Sequence, residues 1–180
     1  MSEKFSHWHA LLAASVLATI SALPSYADGI TRIAFVDTGN TGRSVTAEAL
    51  ANATIEARHL PILVISRAVD LNPYNVVPEA NAAALLAKRG LDVSAHRAVQ
   101  VIANDIRHSD LVLVMTDKHK TTVLDQFPDA QGKTFTLSEY STGTSKDVVD
   151  AYNQPMPVYE KTFRQIDAYM TPLLEKAVKK

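Results

Sequence analysis

One segment constrains the fold of this chain more than any other: Ile33-Ala34-Phe35-Val36-Asp37-Thr38-Gly39-Asn40-Thr41-Gly42-Arg43-Ser44. An apolar run enters a loop with two glycines, and an amphipathic run follows from Ser44 to about Ala57. That order predicts a strand, a tight turn and a helix. Backbone N–H groups in such a loop converge on an anion, and the helix N-terminus adds positive potential. Arg43 supplies a planar fork for phosphate oxygens. The loop Thr38-Gly39-Asn40-Thr41-Gly42-Arg43-Ser44 therefore reads as a phosphate cradle with Asp37 at its base.

The remainder alternates in the same way. Strands are predicted over 31–36, 62–66, 111–115 and 133–137, and helices over 44–57, 79–89, from about 117 to 127, and 158–179. Gly90 is placed to end the second helix, Asp117 to cap the third, and Pro172 to kink or restart the last. The pattern predicts a three-layer α/β fold, a four-stranded parallel sheet with helices on both faces and right-handed crossovers. Ligands in such folds sit beyond the carboxyl ends of the strands, where the Asp37–Arg43 loop lies. No repeat, linker or low-complexity tract divides residues 28–180, so a single domain is expected.

Residues 1–27 read as a signal peptide. Ala10 to Leu23 is apolar apart from a few Ser and Thr, and Pro24-Ser25-Tyr26-Ala27 presents small residues at −3 and −1 of a cut after Ala27. The apolar stretch is too short to cross a bilayer of ~30 Å as a helix, so no stable membrane anchor is expected after cleavage, and the compartment is periplasmic or secreted. In the weak n-region Glu3 offsets Lys4, which leaves an uncleaved anchor or a misplaced start codon as the competing explanation. A formal net charge of −1 argues against a nucleic-acid partner. The chain has no Cys, hence no disulfide framework, thiolate metal site or thiol nucleophile.

The loop resembles that of the low-molecular-weight protein-tyrosine phosphatases, which runs Cys-x-x-Gly-Asn-x-Cys-Arg-Ser. Gly39, Asn40, Arg43 and Ser44 match it; the nucleophilic Cys corresponds to Asp37 and the second Cys to Gly42. Ala47-Glu48-Ala49 is similar to the family's first helix. The segments Gly90 to Ala98, Asp110 to Met115 with His119, and Phe127-Pro128 with Lys133 to Tyr140 carry the resemblance through nearly the whole mature chain. It implies a general acid in a late loop, at Asp150, and an aromatic cleft wall at Tyr152, where the family's Asp-Pro-Tyr has become Asp150-Ala151-Tyr152. It also implies that His96 helps orient the loop. The family's thiolate attacks phosphorus in line while the Asp protonates the leaving oxygen.

An Asp in this nest meets oriented amides and a guanidinium, both of which favour the carboxylate. It can fold onto the amides or Arg43 that a phosphate would otherwise use. Carboxylates do attack phosphorus in aspartyl-phosphate enzymes, whose sites recruit Mg²⁺, but no acidic cluster lies near this loop in the sequence. No metal or other cofactor is expected. The expected function is that of an exported, catalytically impaired pseudophosphatase that keeps an anion-binding loop, with a small anion or phosphorylated ligand as partner. The alternatives are an active phosphomonoesterase or tyrosine phosphatase using Asp37 or an activated water and, through Asp37-Thr38-Gly39, an aspartic-protease-like chain. The last needs two such carboxylates in an all-β fold, against the βα pattern here. Asp150 has a competing reading as a solvated loop acid, and His96, Asn40 and Ser44 as purely structural groups. Oligomeric state is left open.

Overall fold

A computed structural model describes residues 29–178; the expected signal peptide and its cleavage site lie outside them. The strands are β1 (Thr31–Asp37), β2 (Ile62–Ala68), β3 (Leu111–Val114) and β4 (Thr134–Thr136). The helices are α1 (Arg43–Arg58), α2 (Ala80–Ala87), α3 (Ala103–His108), α4 (Asp117–Gln126), α5 (Leu137–Thr142) and α6 (Met156–Val178), with a 3₁₀ turn at Pro128–Ala130. All strand pairs are parallel, in the order β2-β1-β3-β4. The chain leaves β1 toward one edge and returns on its other side, so the carboxyl end of β1 is the switch point at which such sheets open a crevice.

The period of two along β1 assigns its side chains to two cores. Ile33 and Phe35 face a layer containing Leu50 and Ala51 of α1 and Ile166, Leu173 and Leu174 of α6. Ala34 and Val36 face the opposite layer, with Ile106 of α3 and Val123 of α4. Burial on both faces explains why β3 is an unbroken apolar run, Leu111-Val112-Leu113-Val114, rather than an alternating one.

Three expectations need correction. Thr116, not Asp117, caps α4: its hydroxyl accepts from the His119 N–H at 3.1 Å, which leaves Asp117 as the first helical residue. Pro172 starts no new segment, because α6 runs through it from Met156 to Val178. The buried Met170, Leu173, Leu174 and Ala177 on either side hold that stretch against the core and offset the missing N–H. The region assigned to β4 up to Leu137 turns into α5 at that residue, since Thr136 and Glu139 form a reciprocal capping box. Gly90 does sit in the left-handed region, at φ 75°, just past α2.

Candidate functional site

The loop from Asp37 to Arg43 closes the carboxyl end of β1 and feeds directly into α1. Its shape is set by Asn40, a buried residue held at φ 54°. Every polar group of Asn40 is used for this purpose. Its Nδ2 donates to Ser44 Oγ at 3.0 Å and Ser66 Oγ at 2.8 Å, and its Oδ1 accepts from the Val99 N–H at 3.0 Å. Its carbonyl lies 3.0 Å from His96 Nε2. Ser66 in turn donates to Glu48, so the loop is tied to β2 and α1 as well as to the segment after α2. Asn tolerates the left-handed conformation better than most residues do, because its short amide can bond locally.

Asp37 is 3% exposed. One carboxylate oxygen accepts from the Asn40 N–H at 2.6 Å and the other from the Ser44 N–H at 2.9 Å. These are amides of the cradle itself, the second from the first turn of α1. The side chain at the base of the loop therefore already supplies an anion to the nest. Arg43 is turned elsewhere. Its guanidinium donates to Asp150 Oδ2 at 3.0 Å and to the Val148 carbonyl at 3.4 Å. Arg43 is buried while the Asp150 side chain is 59% exposed, so the pair sits at the edge of the cleft.

The loop opens into a cleft of about 280 Å³. Asp150 and Tyr152 line it, as do Thr38, Gly39, Thr41, Gly42 and Arg43. Asn40, Ser44 and His96 do not; they support the loop from behind. The Asp150 carboxylate also accepts from the Tyr152 N–H at 3.1 Å, which gives this loop an Asx turn in place of a proline restraint.

Sequence reasoning missed four residues here. Glu79, the residue before α2, reaches over the loop. It accepts from the Thr41 hydroxyl at 3.2 Å and from the Tyr159 hydroxyl of α6. Burial is the main cause pushing its carboxyl above the usual range, and the charges of Asp37 and Asp150 act in the same direction. Tyr159 lines the cleft and is held there by this bond, and its hydroxyl is shifted up by burial and by Glu79. Asp70 lines the same cleft. The acids absent from the loop's sequence neighbourhood are gathered by the fold; among the described residues, no set of three His, Cys, Asp or Glu side chains forms a metal site.

The fourth missed residue is His119. It is buried, and its Nε2 lies 2.8 Å from Thr38 Oγ1. Desolvation, followed by the charge of Arg43, lowers its pKa to about 4, so the ring is neutral near pH 7. Its Nδ1 has no hydrogen-bond partner. An orphaned lone pair is cheaper than an orphaned N–H, which favours the tautomer whose Nε2–H donates to Thr38.

The family model described as low molecular weight phosphotyrosine protein phosphatase matches residues 32–180. A protein-arginine-phosphatase of Geobacillus stearothermophilus is 34% identical over 145 residues, covering 81% of this chain and 95% of that protein. The low molecular weight protein-tyrosine-phosphatase PtpB of Staphylococcus haemolyticus is 34% identical over 140 residues, 75% of this chain and 91% of its own. Among solved structures, a YwlE mutant from Bacillus subtilis superposes with a TM-score of 0.78 at 33% identity, covering 83% of this chain and 99% of that one. A low molecular weight protein tyrosine phosphatase from T. tengcongensis gives 0.77 at 35% identity, with 81% and 99% covered.

Proposed function

The chain belongs to the low molecular weight phosphotyrosine protein phosphatase family, and from that premise we propose that it is a catalytically impaired member whose phosphate cradle is filled by its own Asp37. The observation that carries this reading is the pair of bonds from Asn40 N–H and Ser44 N–H to the two oxygens of the Asp37 carboxylate. An arriving phosphate dianion would compete with that carboxylate for the amides and face a like charge. Like charges at ~4 Å repel by about 4 kcal/mol at an effective dielectric near 20, equivalent to roughly three decades in affinity.

The other parts of the machinery are occupied too. Arg43, the residue fitted to grip equatorial oxygens, is paired with Asp150. Asp150, the general acid that the family resemblance implies, is the partner of that pair. A phosphoryl acceptor at position 37 would have to be a carboxylate that gives up two charge-assisted hydrogen bonds to turn toward phosphorus. His96 and Asn40 hold the loop's shape, and Tyr152 forms one wall of the cleft. The same reading includes export: the segment before Asp28 would be removed and residues 28–180 would act outside the cytoplasm.

Thermal stability in inorganic phosphate tests the filled cradle. The midpoint of the natural protein is expected to be unmoved by millimolar phosphate, while that of Asp37→Ala rises with phosphate concentration as mass action requires. A phosphate-dependent rise in the natural protein would contradict the reading.

A further inference from the structure

Asp37 accounts for the amides of the cradle but not for its positive field. Two sources of that field remain, the guanidinium of Arg43 and the N-terminus of α1. Arg43 is paired with Asp150. The first turn of α1 contains no acidic residue, and its N-cap, Gly42, carries no side chain. The space over Gly42 is filled instead by the carboxyl carbon and both oxygens of Glu79, the residue before α2. This carboxyl group is held from three sides. The Glu79 N–H donates to the Thr41 carbonyl at 2.9 Å, and the carboxylate accepts from the hydroxyls of Thr41 and Tyr159. Tyr159 in turn is buried against Ala82 and Leu85 of α2. The loop, α2 and α6 thus converge to hold one carboxyl group over the start of α1.

We infer that Glu79 is a second, independent determinant of charge selectivity at this loop: seated over Gly42, its carboxylate turns anions away from the start of α1 even when position 37 is emptied. This rests on the reading of Asp37 as the occupant of the amides and extends it to the field around them. The two carboxylates act differently. Asp37 takes the Asn40 and Ser44 N–H groups that an anion needs, whereas Glu79 takes only hydroxyls and acts on an anion through space. A through-space charge is screened by salt, and it repels only while ionised. The titratable and charged groups around Glu79 are Asp37 and Arg43 of the loop, Asp70 after β2, Asp150 of the late loop and Tyr159 of α6. Emptying position 37 removes one of the lesser causes of the upward shift at Glu79 and leaves the main one, burial. His119, behind Thr38, titrates at about 4 and stays neutral above that range. An emptied cradle should therefore bind anions more weakly as pH rises through the folded value of Glu79.

Sulfate is the probe, because it stays dianionic where phosphate would titrate. Calorimetric titration of the full chain compares the natural protein, Asp37→Ala and Asp37→Ala/Glu79→Gln, with unfolding midpoints showing that each is folded. Asp37→Ala is expected to bind sulfate. The double variant is expected to bind it about tenfold more tightly at low salt and about pH 8.5, the effect of one partly screened like charge within a Debye length. That ratio should shrink at high salt and on acidification to about pH 5.5, where Glu79 takes up its proton. A ratio near one at the alkaline end, or a ratio that neither salt nor acidification reduces, would overturn the inference and leave the filled cradle standing. Sulfate binding by the natural protein would contradict the filled cradle itself. If neither variant binds sulfate, both readings fail.

Discussion

A Cβ built on Gly42 would lie 2.6 Å from Oε1 of Glu79. The position at which the related loop carries its second cysteine is thus the space that the Glu79 carboxylate fills. The missing side chain at 42 admits Glu79 over the loop, where Thr41 and Tyr159 hold it.

Gly42→Ala is expected to force the Glu79 carboxylate aside and disrupt both of its hydrogen bonds, costing about 1–3 kcal/mol of stability at the usual net worth of bonds to charged groups. In a Glu79→Ala background the same substitution should cost much less. Urea denaturation of the two single variants and the double variant would measure the coupling. Additivity would show that Gly42 is not there for Glu79.

The Arg43–Asp150 pair should contribute little to folding despite its short distance. With the Asp150 side chain largely in solvent, Asp150→Asn is expected to lower stability by less than about 1 kcal/mol. Its larger effect would be on Arg43, released toward the cleft. Chemical denaturation reads the first effect, and the change in salt dependence of ligand binding reads the second.

The parallel sheet and both layers were legible in the sequence, because period-two and period-3.6 patterns survive wherever a face is buried. The loop at the end of β1 was legible because Gly39, Asn40, Arg43 and Ser44 lie close together in the chain. Glu79, Tyr159 and Asp70 were not legible as neighbours of that loop. They reach it from separate elements, and their residue types have ordinary surface or packing explanations. Arg43 pairing with Asp150 rather than Asp37 was also hidden: the amides of Asn40 and Ser44 satisfy Asp37 at short range, leaving the guanidinium to a residue 107 positions away.

His119 makes stability depend on pH with a definite sign. Its folded pKa, about 4, lies below the ordinary 6.5, so the unfolded chain binds more protons between those values. Stability from this group is complete above pH 6.5 and is lost as pH falls toward 4, by roughly 1–3 kcal/mol. Glu79, shifted upward, acts in the opposite sense above its ordinary 4.5: its contribution declines as pH rises through its folded value. In unfolding measurements over this range, His119→Gln should remove the loss on acidification. An unchanged profile would mean that the ring is not held neutral.

The proposed export would have an optical signature. Trp8 is the only Trp in the chain, so protein recovered from outside the cytoplasm should lack tryptophan emission and begin at Asp28. Recovery of a tryptophan-containing protein from that compartment would contradict cleavage after Ala27.

The central claim is that the cradle keeps its shape while Asp37 takes the place of both nucleophile and anion. Hydrolysis of an aryl phosphate by the natural protein, Asp37→Ala and Asp37→Cys tests it most directly. The account predicts no turnover by the natural protein or Asp37→Ala, and turnover appearing in Asp37→Cys, where a thiolate regains the amides of Asn40 and Ser44. Turnover by the natural protein that disappears in Asp37→Ala would contradict it, and would make Asp37 a working nucleophile.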